Sequence, residues 1–286
     1  MRSLINEVIL SLSSVYSGWI FWNLFLAFIP LVLSFILFRR KSLRQSWLWW
    51  FSLVSLGIGA VGFLPKFPFV ADRLINLVQR SLSGDVSTRL ILLSFLTLAV
   101  IALGLSVVLF KRPRTLRSGF WWAGLVVFIA FLPNAPYLLT DIIHLLRAAD
   151  SDQISTWVVV SVVVPTHATA ILLGFEAYVI SLMNQGHYLK YHGAKSYVFL
   201  GELIVHALCA IGVYLGRFVR FNSWDLVTDP GNVFLTTLDT LTAKRPVFVI
   251  CIIFVVLTVL YWVMKQLTIG VKLRWQTARL GDDGLD

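Results

Sequence analysis

The sequence predicts an all-α fold: a polytopic transmembrane helix bundle of about seven spans, with short interfacial helices between them. Three observations carry this reading. Trp19 to Phe38 reads WIFWNLFLAFIPLVLSFILF and contains no ionisable side chain, and roughly 20 apolar residues are enough for a helix to cross the hydrocarbon core. Hydrophobic residues make up 58% of the 286 and charged ones 13%, with a mean hydropathy of +0.83, more apolar surface than a soluble fold can hide. The charge that exists is concentrated in short linkers between the apolar runs. A net charge of +10 would suggest nucleic acid in a soluble chain. Here Lys and Arg flank spans, so the expected partners are the bilayer and its anionic headgroups, and no nucleic acid.

In order, the spans are expected at about 18–38, 47–64, 90–110, 119–134, 156–183, 196–216 and 246–264. The fourth can run on to Leu139 if its prolines are tolerated, and the fifth is long enough to tilt or project. Two short linkers are densely basic: Arg39, Arg40, Lys41 and Arg44, then Lys111, Arg112, Arg114 and Arg117. The positive-inside rule acts most strongly on such loops. They fall on one side with Lys190, Lys195 and the C-terminal basic residues, so that side is cytoplasmic, the N-terminus outside and the C-terminus inside. Trp47, Trp49, Trp50, Trp121, Trp122 and Trp262 fall near the inner boundary, as an aromatic belt. The acidic end, 275–286, reads as a disordered tail. No cleavable signal peptide is expected. Cys209 and Cys251 lie inside spans, which offers neither a disulfide framework nor a zinc finger.

A parallel tandem repeat of about seventy residues runs through this single membrane domain. LFRRKSLRQSWLWW from Leu37 parallels LFKRPRTLRSGFWW from Leu109; FLPKFPF from Phe63 parallels FLPNAPY from Phe131; LINEVILSLS from Leu4 parallels LINLVQRSLS from Leu74. The units are about 1–68, 69–136 and a degraded 137–220, with the last span left over. Each contains an amphipathic helix suited to the outer headgroup level.

Polar residues gather in three places. In FLPNAPYLLTDIIHLLR, Pro133 and Pro136 should break the fourth span, with Asn134 capping a helix from Pro136 to about Arg147. Thr140, Asp141, His144 and Arg147 then share a face, and Asp and His at i, i+3 can hydrogen-bond or supply two metal ligands. A solvated polar face explains the same pattern. In RFVRFNSWD, Arg217 and Arg220 can grip phosphate or carboxylate, or can simply snorkel. Within spans lie His167, Glu176, Glu202 and His206. Charge in hydrocarbon is costly, so each is a candidate functional group, against the alternative of a neutral side chain bonded between packed helices. His167 and His206 sit at similar expected depth and can meet, and Glu202 can bond His206 one turn away.

FLPNAPYLLTDIIHL and RFVRFNSWD on this multi-span background resemble the bacterial integral membrane family known as domain of unknown function 1361, from about the third span to the seventh. The resemblance implies a bacterial cytoplasmic (inner) membrane location and no particular reaction. It draws attention to Asn134, Tyr137, Asp141, His144, Arg217, Arg220, Asn222 and Asp225 as binding residues, with His167, Glu202 and His206 deeper. Three functions compete. One is an outward-facing polar site handling a small molecule, lipid or ion. A second is a lipid hydrolase or transferase using a divalent metal on Asp141, His144, His167 and His206. The third is a scaffold subunit with a membrane-protein partner. No Walker loop, zincin motif or nucleophile elbow is present to decide among them.

Overall fold

The computed structural model describes residues 18–39, 45–83, 119–149, 154–221 and 230–279, together with Asn6, Leu93, Thr97 and Val100. These residues are helical almost throughout, with no strand among them. Helix α1 is Trp19–Phe38, and α2 is Gln45–Phe63. A turn at Leu64–Lys66 leads into α3, Phe67–Leu82, whose sequence is amphipathic. Helix α4, Gly119–Phe131, ends at the proline segment; two tight turns, Asn134–Tyr137 and Leu138–Asp141, pass into α5, Ile142–Ala149. Next come α6 (Val164–Tyr191), α7 (Val198–Tyr214), α8 (Pro230–Thr242) and α9 (Lys244–Arg279). The chain is thus a polytopic helical membrane protein: six stretches among the described residues are long and apolar enough to cross a bilayer. They correspond to six of the seven expected spans. The remaining one, 90–110, lies outside the described residues apart from the three helical positions Leu93, Thr97 and Val100.

Helix α1 is the axis of the bundle. Its 20 residues pack against α2, α4 and α6, and more of it is buried than of any other span described, 56% against 17% for α9. Leu24, Ala27, Phe28 and Leu31 form the core with Phe128 of α4 and Phe175, Tyr178 and Leu182 of α6. In hydrocarbon, apolar contact gives helices little reason to prefer one another over lipid, so small residues and hydrogen bonds have to hold the bundle together. Both are present. Asn184 of α6 donates to Ser34 Oγ of α1 at 3.0 Å, and the Trp121 indole N–H donates to the Leu37 carbonyl at 3.3 Å. Gly62 lets α2 cross α1 at backbone contact: a Cβ there would meet the Trp22 backbone and come 2.9 Å from the Gly18 carbonyl oxygen.

Three expectations are corrected. Trp121 is buried at 5% exposure, stacked on Tyr188, because its indole satisfies the end of α1; Trp47, Trp49, Trp50, Trp122 and Trp262 remain exposed. Helix α9 runs through Arg279, into the stretch expected to be disordered; at 36 residues it is about 54 Å long. Falling hydropathy after Met264 ends the apolar run but not the helix, since Lys, Gln, Leu and Arg are all good helix formers. Helix α6 likewise reaches Tyr191 rather than 183. After the proline break the chain turns and enters a new short helix, in line with the expected helix to about Arg147.

Gly62→Val should force α1 and α2 apart and destabilise the bundle by about 1–3 kcal/mol, the usual penalty for overpacking. Gly57→Val, where a Cβ meets nothing within 4 Å, should be neutral. Thermal unfolding of the two variants in one detergent compares them directly; equal melting temperatures would count against the close crossing.

Candidate functional site

The proline turn and the twin-Arg segment meet. Pro133 and Pro136 interrupt the helix after Phe131, since each lacks an N–H and crowds the preceding turn. Asn134 does not cap the following helix as expected; its amide donates back to the Phe131 carbonyl at 2.9 Å, satisfying the end of α4. The broken segment docks on α7 through two glycines. A Cβ at Gly212 would stand 2.7 Å from Pro133 Cβ, and one at Gly216 3.1 Å from the Tyr137 ring. Any larger residue at Gly212 would push the turn away.

Docking brings Arg217 to Asp141. The Arg217 guanidinium lies 3.6 Å from Asp141 Oδ1, donates to the Thr140 carbonyl, and reaches the Tyr137 hydroxyl at 3.4 Å. Its charge also sits 5.7 Å from the centre of the Tyr137 ring. The other Asp141 oxygen accepts the Asn23 amide of α1 at 3.0 Å. Asp141 is only 2% exposed, so these bonds across the bundle, rather than one to His144 on its own helix, hold the carboxylate. His144 instead rests on Trp19, ring centres 4.4 Å apart. Helix α7 ends in a wide turn, Leu215–Val219, after which Arg220 takes a left-handed conformation (φ 66°, ψ 31°) and the Phe221 N–H returns to the Leu215 carbonyl at 3.1 Å. Arg220 is the only non-glycine with positive φ among the described residues. Such strain persists only where surroundings impose it.

These elements enclose a cavity of about 690 Å³. Lys66, Asn134, Tyr137, His144, Arg217 and Arg220 supply much of its polar lining, while Trp22, Leu26, Phe218 and Phe221 are among its apolar walls. Lys66 and Asn134 each follow the first proline of the two Pro-x-x-Pro turns, FLPKFPF and FLPNAPY, which therefore converge on one space. Asn222 and Asp225 lie outside the described residues.

The deeper residues form a separate group. His206 does not meet His167. Its ring nitrogen is 2.5 Å from the Tyr178 hydroxyl, eleven residues along α6 from His167, a distance of about 16 Å. His167 packs on Trp19 at 5.7 Å between ring centres. The depth estimate failed because α6 begins further out than α7 ends. Nor does Glu202 bond His206. It accepts the Tyr261 hydroxyl at 2.7 Å and the Lys265 ammonium at 2.6 Å, both from α9, while His206 packs on the same Tyr261 ring at 4.7 Å. Glu176 accepts from Thr268, on the next turn of α9, at 2.8 Å. The proposed metal ligands are consequently split: Asp141 is bonded to Asn23 and Arg217, His144 and His167 rest against an indole, and His206 faces Tyr178. Among the described residues no three His, Cys, Asp or Glu side chains converge as a metal site requires. The donor set does not fit a divalent metal.

Residues 22–97 and 94–259 match the family described as protein of unknown function (DUF1361). The chain belongs to that family. The family match begins inside α1 and so takes in the first two spans, which the resemblance in sequence did not reach. No curated protein and no solved structure matches the chain. Asn23, Lys66, Trp19, Tyr178, Tyr261 and Lys265 were not singled out from sequence as site residues. Asn23 had a legible signal, a lone amide in a twenty-residue apolar run; Tyr261 and Lys265 had none, because only the packing of α9 on α7 gives them their partners.

Asp141→Ala strands the Arg217 guanidinium and should cost about 3–5 kcal/mol, the range for breaking a buried pair from one side; chemical denaturation in detergent would measure it. For the inner pair, Lys265→Met alone should destabilise more than Lys265→Met combined with Glu202→Gln, because the double variant leaves no charge unmatched in hydrocarbon. Additive losses in that cycle would refute a direct pair.

Proposed function

We propose that this protein handles an anionic small molecule or lipid at an outward-facing cavity near the outer end of the bundle, in a bacterial cytoplasmic membrane. The observation that carries this reading is the lining. Three cations, Lys66, Arg217 and Arg220, line one cavity together with apolar walls, and Asp141, the carboxylate paired with one of them among the described residues, is already engaged by Arg217 and Asn23. Arg is suited to forked recognition of carboxylate or phosphate, and here its orientation is fixed by Asp141 and the Thr140 carbonyl before any ligand arrives. A site of this kind binds and positions an anion. Among the described residues, nothing at the site pairs a nucleophile with a base to assign it a reaction.

The outward orientation is supported by the basic linkers at the far end, and a seven-span count by where the ends of α2 and α4 fall. Phe63 of α2 touches Trp22 near the start of α1, whereas Trp121 of α4 bonds Leu37 near its end. A span between Phe63 and Trp121 would reconcile these two positions, and Leu93, Thr97 and Val100, which fall within the expected 90–110, are helical. The repeat reading gains support from the two Pro-x-x-Pro turns closing on the same cavity.

Substituted-cysteine labelling tests this. Lys66→Cys and Arg220→Cys, in a background lacking Cys209 and Cys251, should both react with a membrane-impermeant thiol reagent applied to intact cells. Reaction only after permeabilisation would sink the outward reading. Solvent extracts of the purified protein should also contain an anionic compound that is depleted from the Arg217→Gln variant.

A further inference from the structure

We infer that the anion is the phosphate headgroup of a membrane lipid, which enters from the outer leaflet while its chains stay in the bilayer. This rests on the anion-site reading above and adds the chemical class of the ligand. Charge is the first argument. With Asp141 offsetting one of the three lining cations, a surplus of two positive charges faces the cavity, and neither Lys66 nor Arg220 has an ion-pair partner among the described residues. That surplus matches a phosphomonoester, which carries close to two negative charges at neutral pH.

Depth is the second. The cavity is bounded by the entry points of two amphipathic helices: Lys66 immediately precedes α3, and Ile143 and His144 belong to α5. Helices of that kind lie at the level of lipid headgroups. The phosphates of the surrounding leaflet are therefore at the same height as the cations. Shape is the third. The wall beside the cations is apolar and continues onto the outer surface: Phe218 is 58% exposed and Ile143 38%, with Leu146 of the same short helix 63% exposed. A free inorganic anion gains nothing from such a wall. An acyl or isoprenyl chain lies along it without leaving hydrocarbon, at no cost in exposed apolar area.

The turn at Arg220 provides a clean test. Its left-handed backbone suits glycine, so Arg220→Gly removes the charge and relieves the conformation together, and should leave the melting temperature unchanged or raised. Lys66, exposed beside the cavity, is neutralised by Lys66→Gln. The full chain in detergent is titrated with phosphatidic acid, phosphatidylcholine or inorganic phosphate, and adducts are counted by native mass spectrometry. Phosphatidic acid should bind at least about tenfold tighter than phosphatidylcholine, and the Lys66→Gln/Arg220→Gly variant should lose about tenfold or more, as loss of charge-assisted bonds implies. Lys272→Gln/Arg274→Gln, which removes equal charge from the far part of α9, should bind as the parent does. Phosphatidic acid binding unaffected by Lys66→Gln/Arg220→Gly would overturn the lipid assignment, as would equal loss in the α9 control. Inorganic phosphate binding as tightly as the lipid, and lost in the same cavity variant, would also overturn it while leaving the anion site standing. If no anion responds to the cavity variant, both readings fail.

Discussion

The contact between Asp141 and Arg217 is what the cavity-bearing half of this bundle depends on. A carboxylate almost fully withdrawn from solvent within a membrane bundle is tolerable only if protein groups replace its hydration. Asn23 of α1 and Arg217 beyond the end of α7 do so from opposite sides. One side chain thereby ties three parts of the chain that are far apart in sequence: the first span, the proline break after α4, and the irregular end of α7. The same contact fixes the guanidinium that lines the cavity, so local stability and the candidate ligand site share one interaction.

The irregular backbone around this contact has physical causes that reinforce one another. Prolines open the helix after Phe131; small residues on α7 let the opened segment approach; the wide turn at Leu215–Val219 and the left-handed Arg220 then close the cavity from the other side. A second wide turn, Val159–Val163, precedes Pro165, whose missing N–H disturbs the preceding ladder. Non-helical backbone at membrane depth is tolerated where protein or a hydrated cavity surrounds it. The proline turn and the Arg220 turn border the cavity, the Val159–Val163 turn packs with Ile20, Trp19 and Leu145, and the middle of α6, at Phe175 to Leu182, stays regular.

How much of this was legible follows from what periodicity and composition encode. Apolar length gave the membrane class and six described spans, because crossing hydrocarbon demands it residue by residue. The proline break was readable from chain punctuation, and counting crossings put its Asp on the same side as the twin-Arg segment, though not in contact with it. Partners across the bundle were not. Asp141 and His144 share a helix face, but what each touches depends on the rotation of α1, which apolar runs do not specify since almost every face of Trp19–Phe38 is apolar. The same indeterminacy misplaced His206, whose partner is set by the relative sliding of α6, α7 and α9. Helix ends were misjudged where hydropathy falls but helix propensity does not, as after Met264.

Charge balance separates the two polar groups better than burial does. In the inner group Glu202 meets Lys265, Tyr261 bridges toward His206, and Glu176 finds Thr268, so each carboxylate has its partner on α9. Such an arrangement fastens α6 and α7 to the long last helix and leaves no demand for a ligand. The outer group has the opposite character. Among the described residues, its carboxylate Asp141 is shared between an amide and an arginine, and two further cations line an open, partly apolar space. Within the low-dielectric surroundings of a membrane protein, an uncompensated positive charge is expensive and an anion that enters relieves it. Among the described residues, the cavity is therefore where cations stand without a carboxylate to offset them, whereas the deepest carboxylates are held by partners on α9.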